Sequence, residues 1–187
     1  APVLQIENLS WGDRLQDISL SVGRGEIVGL GGLDGQGQKE LLMALFGVLR
    51  GVGGTMTVNG RSGVPLSPAV AKGGKSRIAL VPEDRKTEGL MLPMSIADNL
   101  LASSYGRVSN GPFIDGGRAG KAVADAIAQL SIKLNRPTDP VATLSGGNQQ
   151  KVVIAKWLMT DPEIVLLNDP TRGIDVGTKQ ELYALLR

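Results

Sequence analysis

The sequence predicts an α/β domain with a mainly parallel core sheet interrupted by a helical lobe. Short apolar runs at 26–31, 78–81 and 164–167 read as buried strands. Residues 38–49, 118–134 and 147–159 carry apolar side chains at helical spacing. The two kinds of segment alternate along the chain, which favours parallel strands joined by crossover helices.

In order, residues 3–9 and 17–22 alternate apolar and polar positions and read as half-exposed strands. The run at 26–31 ends in glycines and opens a helix carrying Leu41, Leu42, Leu45, Phe46 and Leu49 on one face. Residues 55–58 precede Asn59-Gly60, a strand followed by a turn. Ser67 and Pro68 supply a cap and a first helical position for a short helix to Lys72. The strand at 78–81 is stopped by Pro82. Helices are expected at 95–103, 118–134 and 147–159, with a Gly/Ser/Pro-containing loop at 104–117. A last strand at 164–167 precedes a helix from Thr178 that is still running at Arg187, so we expect a longer parent chain. The expected division is a single domain over 1–187, with core and β-rich parts at 1–90 and 160–187 and a helical part at about 91–159.

Composition narrows the chemistry. The 187 residues include no Cys and no His, which excludes disulfide frameworks, Cys/His zinc sites and a His general base from this chain. Twenty basic against 18 acidic residues leave a net charge of +2, too little to argue for nucleic acid, and 3% aromatic content offers no stacking surface for single strands. No apolar run approaches the ~20 residues needed to span a bilayer. Residues 1–25 lack the apolar stretch of a secretory leader, so a reducing, cytoplasmic location is expected. Glycine is the anomaly, 26 of 187 residues against a usual ~7%, gathered at 29–37, 51–54, 116–120 and 146–147. Clustered glycine marks tight turns or close backbone approach.

Three motifs carry chemistry. Gly32-Leu33-Asp34-Gly35-Gln36-Gly37-Gln38-Lys39 has the spacing of a phosphate-binding loop, in which backbone N–H groups face an anion at a helix N-terminus; the alternative is a glycine-rich turn with no ligand. Gln38 stands where that loop carries lysine and Lys39 where it carries Ser/Thr; Glu40 follows. Leu144-Ser145-Gly146-Gly147-Asn148-Gln149-Gln150-Lys151 opens a helix with a capping serine and two bare glycines, a second place for a phosphate; the alternative is an ordinary cap. The strand at 164–167 ends in Asn168-Asp169-Pro170, with Asp175 six residues on, and strand carboxyl ends are where open α/β sheets bind ligands.

In this order, the motifs resemble the nucleotide-binding domain of ABC transporters, and more narrowly the second ATPase half of the fused double ATPase subunits of bacterial monosaccharide importers. Residues 32–37 correspond to the Walker A loop, Glu83-Asp84-Arg85-Lys86 to the Q-loop, 144–151 to the signature, 167–170 to Walker B and 171–175 to the D-loop. The resemblance covers about residues 3–187, and its signature is the most specific part. It implies a P-loop NTPase (RecA-like) core, an antiparallel β subdomain and a helical subdomain bearing the signature. It also implies head-to-tail pairing with a homologous half fused in the parent chain, and a peripheral position on the inner face of the cell membrane. A membrane permease would be contacted through the 83–100 region, and a periplasmic sugar-binding protein would act indirectly. The family's switch region would lie past Arg187. Trp11 falls where the family's adenine-stacking aromatic lies, although packing in the β subdomain explains it equally well.

ATP and Mg²⁺ are the implied ligands, but this half departs from the family at the groups that hold them. Gln38 removes a lysine contact of order 4 kcal/mol at about 4 Å and an effective dielectric of about 20. Asn168 replaces the carboxylate that holds the metal's water shell, Asp169 replaces a longer catalytic glutamate, Glu83 replaces the usual glutamine, and Asp34 adds negative charge to the loop. Lys39 is expected to stand in for the metal charge and pair with Asp169. No metal ligand set is expected. The signature is intact, so the economical expectation is asymmetric: a degenerate site of its own, and Ser145, Gly147 and Gln149 donating to the γ-phosphate of the partner half's nucleotide. The rival expectation is a structural or regulatory dimerisation module that never binds nucleotide. A chromosome-organising ATPase is disfavoured, because Gly37 and Ser145 are 108 residues apart with no heptad run between them.

Overall fold

The structure is a computed structural model and describes residues 2–74 and 76–185. The chain divides into two compact units, Ala1–Leu80 with Pro162–Leu166, and Val81–Asp161 with Leu167–Arg187.

In the first unit, β1 (Leu4–Trp11), β2 (Leu15–Val22), β3 (Gly53–Val58) and β4 (Arg61–Ser62) form an antiparallel sheet in the order β2-β1-β3-β4. Leu4, Ile6 and Leu9 of β1 are buried, so simple alternation breaks between positions 6 and 9. Asn8 causes the break, at φ 51° in a bulge that shifts the register between Ile6 and Leu9 and returns Leu9 to the core face. Gly54 lies beside this bulge at φ 88°, where a Cβ would strike the Asn8 carbonyl. Ile6 pairs with Met56 across the ladder, and both are fully buried.

Helix α1 (Gln38–Leu45) turns Leu41, Leu42, Ala44 and Leu45 inward. It stops four residues before the apolar pattern does, because Gly47 takes φ 74° just past the Phe46 cap. The short helix α2 (Pro68–Lys72) forms as read, with the Ser67 hydroxyl accepting from the Val70 N–H at 3.3 Å. Strands β5 (Ile78–Val81) and β8 (Ile164–Leu167) pair in parallel: the Arg77 carbonyl accepts from Ile164 N–H and the Val81 carbonyl from Asn168 N–H. Arg77 also pairs with Glu163 at 3.1 Å beside this ladder.

The expected strand at 26–31 does not form. Residues 26–33 have no regular structure, and Ile27, Val28, Leu30 and Leu33 are exposed. An apolar run becomes a strand only when a neighbour takes its backbone N–H and C=O groups, and no strand among the described residues lies beside this one.

The second unit is mainly helical: α3 (Ile96–Leu101), α4 (Gly116–Gln129), α5 (Gly146–Leu158) and α6 (Val176–Leu185). Its core holds Ile96, Leu100, Val123, Ala126, Val141, Val152 and Val153. Capped by Asp115, α4 starts two residues before the expected Arg118, and it ends early because Ser131 adopts φ 49°. The segment read as a loop contains a small hairpin, β6 (Ser109–Asn110) with β7 (Phe113–Ile114), closed by Gly111 at φ 60°. A π-helical turn at Arg85–Gly89, capped by Asp84, follows β5. Leu186 and Arg187, the end of the expected last helix, lie outside the described residues.

Candidate functional site

The glycine-rich loop of the first unit is shaped by its own side chains. Gly35 (φ 80°) and Gly37 (φ 101°) take left-handed backbone, and a Cβ on Gly37 would stand 2.9 Å from the Arg14 carbonyl. Gly37 is the N-cap of α1 with no side-chain cap, so the first-turn N–H groups are not consumed by a capping oxygen. The Gln38 amide folds back to donate to the Leu33 carbonyl at 3.2 Å, and it fills the space where a Cβ on Gly32 would lie. Gln36 Oε1 accepts from the Leu33 N–H at 3.2 Å, and Arg14 donates to the Gly35 carbonyl at 3.1 Å. The backbone thus has anion-binding shape, while the side chain at the lysine position is spent on holding the turn. Asp34 is exposed at the turn, Glu40 lies in the first turn of α1, and Lys39 is half-buried. Trp11 is half-buried, with its indole N–H donating to the Arg50 carbonyl at 2.8 Å, which anchors the ring edge.

In the second unit, Asn168 is half-buried at the end of β8 and hydrogen-bonds back to Val81 through its backbone. Asp169 is exposed and strained at φ 41°, with one carboxylate oxygen 3.4 Å from the Thr171 hydroxyl. Glu83 does not stand alone: its carboxylate pairs with the Arg172 guanidinium. Arg85 donates to the Arg172 carbonyl at 3.0 Å and to the Gly173 carbonyl at 3.3 Å. Asp84 accepts from the Lys86 and Thr87 N–H groups, and the Lys86 bond chiefly holds its carboxyl below the usual range. Asp175 accepts from the Thr178 N–H at 3.0 Å and the Thr178 hydroxyl at 2.8 Å; those bonds lower its pKa and make it the cap of α6.

The turn before α5 divides inward from outward groups. Ser145 is exposed, and its Oγ accepts from the Asn148 N–H (3.4 Å) and the Asn148 side chain (3.0 Å), leaving the hydroxyl proton for an outward acceptor. Asn148 in turn accepts from the Lys133 N–H at 2.9 Å. Gln149 does not face outward as expected: it is buried and its amide donates to the Leu144 and Val141 carbonyls at 3.2 and 3.4 Å. Leu144, half-buried, packs against the core cluster. The two glycines are required sterically. A Cβ on Gly146 would come within 2.8 Å of the Arg85 guanidinium, and one on Gly147 within 2.5 Å of the Thr178 hydroxyl. Among the described residues, no group of three or more Asp, Glu, His or Cys side chains is placed to hold a metal ion.

The family profile described as ABC transporter matches residues 15–172. This chain belongs to the ABC transporter family. It is 58% identical over all 187 residues to ribose import ATP-binding protein RbsA 1 of Mesorhizobium japonicum, spanning 36% of that protein. It is 59% identical over 186 residues to the protein of the same name from Rhizobium johnstonii, again spanning 36%. The chain therefore covers about a third of the length of these relatives. Among solved structures it is similar to a dimeric ATP-binding cassette, MJ0796, bound to ADP and Pi, with a TM-score of 0.76 at 20% identity over 98% of this chain and 81% of that one. A nucleotide-free cassette gives the same score at 22% identity, covering 98% and 75%. At such identities these structures establish the ATP-binding-cassette fold. No helix among the described residues is long and apolar enough to cross a membrane.

Several residues of this ABC domain escape sequence inspection. Asn99, fully buried, donates to the Met91, Met94 and Ser95 carbonyls and accepts from the Met91 N–H, organising the 91–95 loop. Lys156 on α5 donates to the Gly89 carbonyl and lies 5.5 Å from the Trp157 ring centroid. Arg172 shows no sign in the sequence of its partner 89 positions earlier. For Asn99, a polar residue at an otherwise apolar helical position was the available signal.

Proposed function

We propose that this chain is one ATP-binding cassette of a sugar importer of the ribose class, working as half of a head-to-tail pair. It belongs to one ABC-type domain over 1–187, with the helical subdomain at about 91–159 carrying the signature. The names of its relatives supply the substrate class, and the importer's permease and external sugar-binding protein are the implied partners. Its place is the cytoplasmic face of the membrane.

Within the pair the roles are unequal. The carrying observation is the contrast between the two anion-binding turns: Gln38 is folded onto its own loop, whereas Ser145 stands exposed with a proton to donate. The backbone around Gly35, Gly37 and the first turn of α1 suits phosphate, and Gly32 and Trp11 complete the proposed set of nucleotide contacts. The donor set for Mg²⁺ does not fit: position 39 offers ammonium instead of hydroxyl, and Asn168 is neutral. This half's own site then binds nucleotide weakly and without metal dependence, with Lys39 supplying positive charge at the start of α1. The Ser145 hydroxyl and the first N–H groups of α5 serve the γ-phosphate held by the partner half, stabilising charge during transfer. Gln149 and Leu144 hold that turn from inside.

Photolabelling of the full-length protein with 8-azido-ATP, followed by peptide mapping, tests the reading. Weak labelling of peptides spanning 8–14 and 32–49, unchanged by Mg²⁺, is expected. Strong Mg²⁺-dependent labelling there would overturn the degenerate-site assignment, and absence of any nucleotide effect from Ser145 substitution would favour the dimerisation module.

A further inference from the structure

Three segments far apart in sequence converge within the second unit. The Glu83 carboxylate meets the Arg172 guanidinium, while Arg85, two residues on, reaches back across the same loop to the Arg172 and Gly173 carbonyls. The same Arg85 Nη2 that donates to the Gly173 carbonyl fills the space beside Gly146, where a Cβ would intrude to 2.8 Å. Thr178, which the 171–175 loop places through the Asp175 cap, packs on Gly147 in the same manner. The two bare positions of the signature turn are thus seats for side chains belonging to, or positioned by, the Q-loop and D-loop segments.

We propose that Glu83, Arg85 and Arg172 form a latch holding the Q-loop segment, the D-loop and the signature turn as one mechanical unit, with Arg172 as a positioning residue. The charge pattern supports this. An unpaired Glu83 would add a carboxylate among loops that handle phosphate; Arg172 neutralises it and fixes it to the D-loop. The pair is partly exposed, at 25% and 64% of the side-chain surface, so its own contribution to stability is small. Cross-linking comes from combining it with two charge-assisted bonds to backbone carbonyls. Arg85 retains this position although its Nε is buried with no acceptor, a cost that buried donors rarely bear. A shift in any one segment is therefore felt by the other two. The latch rests on this geometry alone; its consequence for turnover rests on the reading that Ser145 serves a nucleotide.

The test is hydrogen exchange on the full-length protein, read on peptides spanning 171–176, together with steady-state ATP hydrolysis in the assembled importer. Glu83→Gln and Arg172→Ala should each speed exchange there roughly tenfold. The double variant should exchange within about twofold of the faster single one, as coupled residues do. Arg172→Lys and the charge swap Glu83→Arg with Arg172→Glu should restore slow exchange. In the same loosened variants kcat should fall with KM unchanged. Unchanged exchange in both single variants, or multiplying effects in the double variant, overturns the latch. Faster exchange with unaltered hydrolysis upholds the latch and overturns instead the reading that the signature turn serves a nucleotide.

Discussion

Lys156 shows how a single residue can matter without touching a ligand. Burial lowers its pKa from 10.5 to about 8, and its ammonium donates to the Gly89 carbonyl, joining α5 to the turn that follows Glu83 and Arg85. Because the folded value lies below the unfolded one, the unfolded chain holds more protons between pH 8 and 10.5. Stability should therefore rise with pH across that window, by about 3 kcal/mol, and the burial cost is fully present below pH 8. Denaturant melts at several pH values should show this slope in the parent protein and lose it in Lys156→Met. Asn99 makes a second, simpler case. Its side chain is the acceptor for the Met91 N–H, whereas the Met91, Met94 and Ser95 carbonyls it bonds also accept from backbone N–H groups, so Asn99→Ala should lower unfolding free energy by about 2 kcal/mol, chiefly through the one orphaned N–H. A loss under 1 kcal/mol in chemical denaturation would contradict this role.

At the scale of elements, local chemistry explains what was legible and what was not. Helix α2 and α5 follow their caps, Ser67 and Ser145, and β5 and β8 follow their apolar runs to the residue. The early ends of α1 and α4 depend on left-handed backbone at Gly47 and Ser131, and only the glycine advertises that in sequence. The 26–31 run failed because strand formation depends on a neighbour, which composition does not report. The β6–β7 hairpin was hidden because its strands are two residues long. The glycines made the turns before α1 and α5 legible, but the direction of side chains was invisible: Gln149 turns inward and Glu83 finds Arg172 only through the fold. Gly146 and Gly147 are readable as bare backbone, but the steric need for them, set by Arg85 and Thr178, is visible only in the fold. Gly147→Ala should accordingly destabilise the protein by about 1–3 kcal/mol in thermal melts, and adding Thr178→Ala should recover part of that loss. Equal losses with and without the second change would refute the steric account.

At the scale of the whole molecule, electrostatics set how the fold responds to acid, and the two turns carry the proposed function. Asp84, Asp175 and Glu181 are held below the usual carboxylate range, chiefly by the Lys86 N–H, the Thr178 N–H and the Lys151 ammonium respectively. Their stabilisation is present above the unfolded values near 4 and is lost as pH falls through the folded ones. All three belong to the second unit, so acid should loosen that unit's caps and its Lys151–Glu181 pair, visible as early exchange at 84–89 and 175–181. The central claim is the asymmetry of function between the phosphate loop and the signature turn. It is tested most directly by the ATP hydrolysis rate of the full-length protein, assembled with its permease, carrying Ser145→Ala or Gln38→Ala. Loss of the serine donor should cost roughly 100-fold in kcat, while the Gln38 change should leave the rate within about twofold, as expected where no transition-state contact is removed. The reverse pattern, tolerance at Ser145 and collapse at Gln38, would contradict the account.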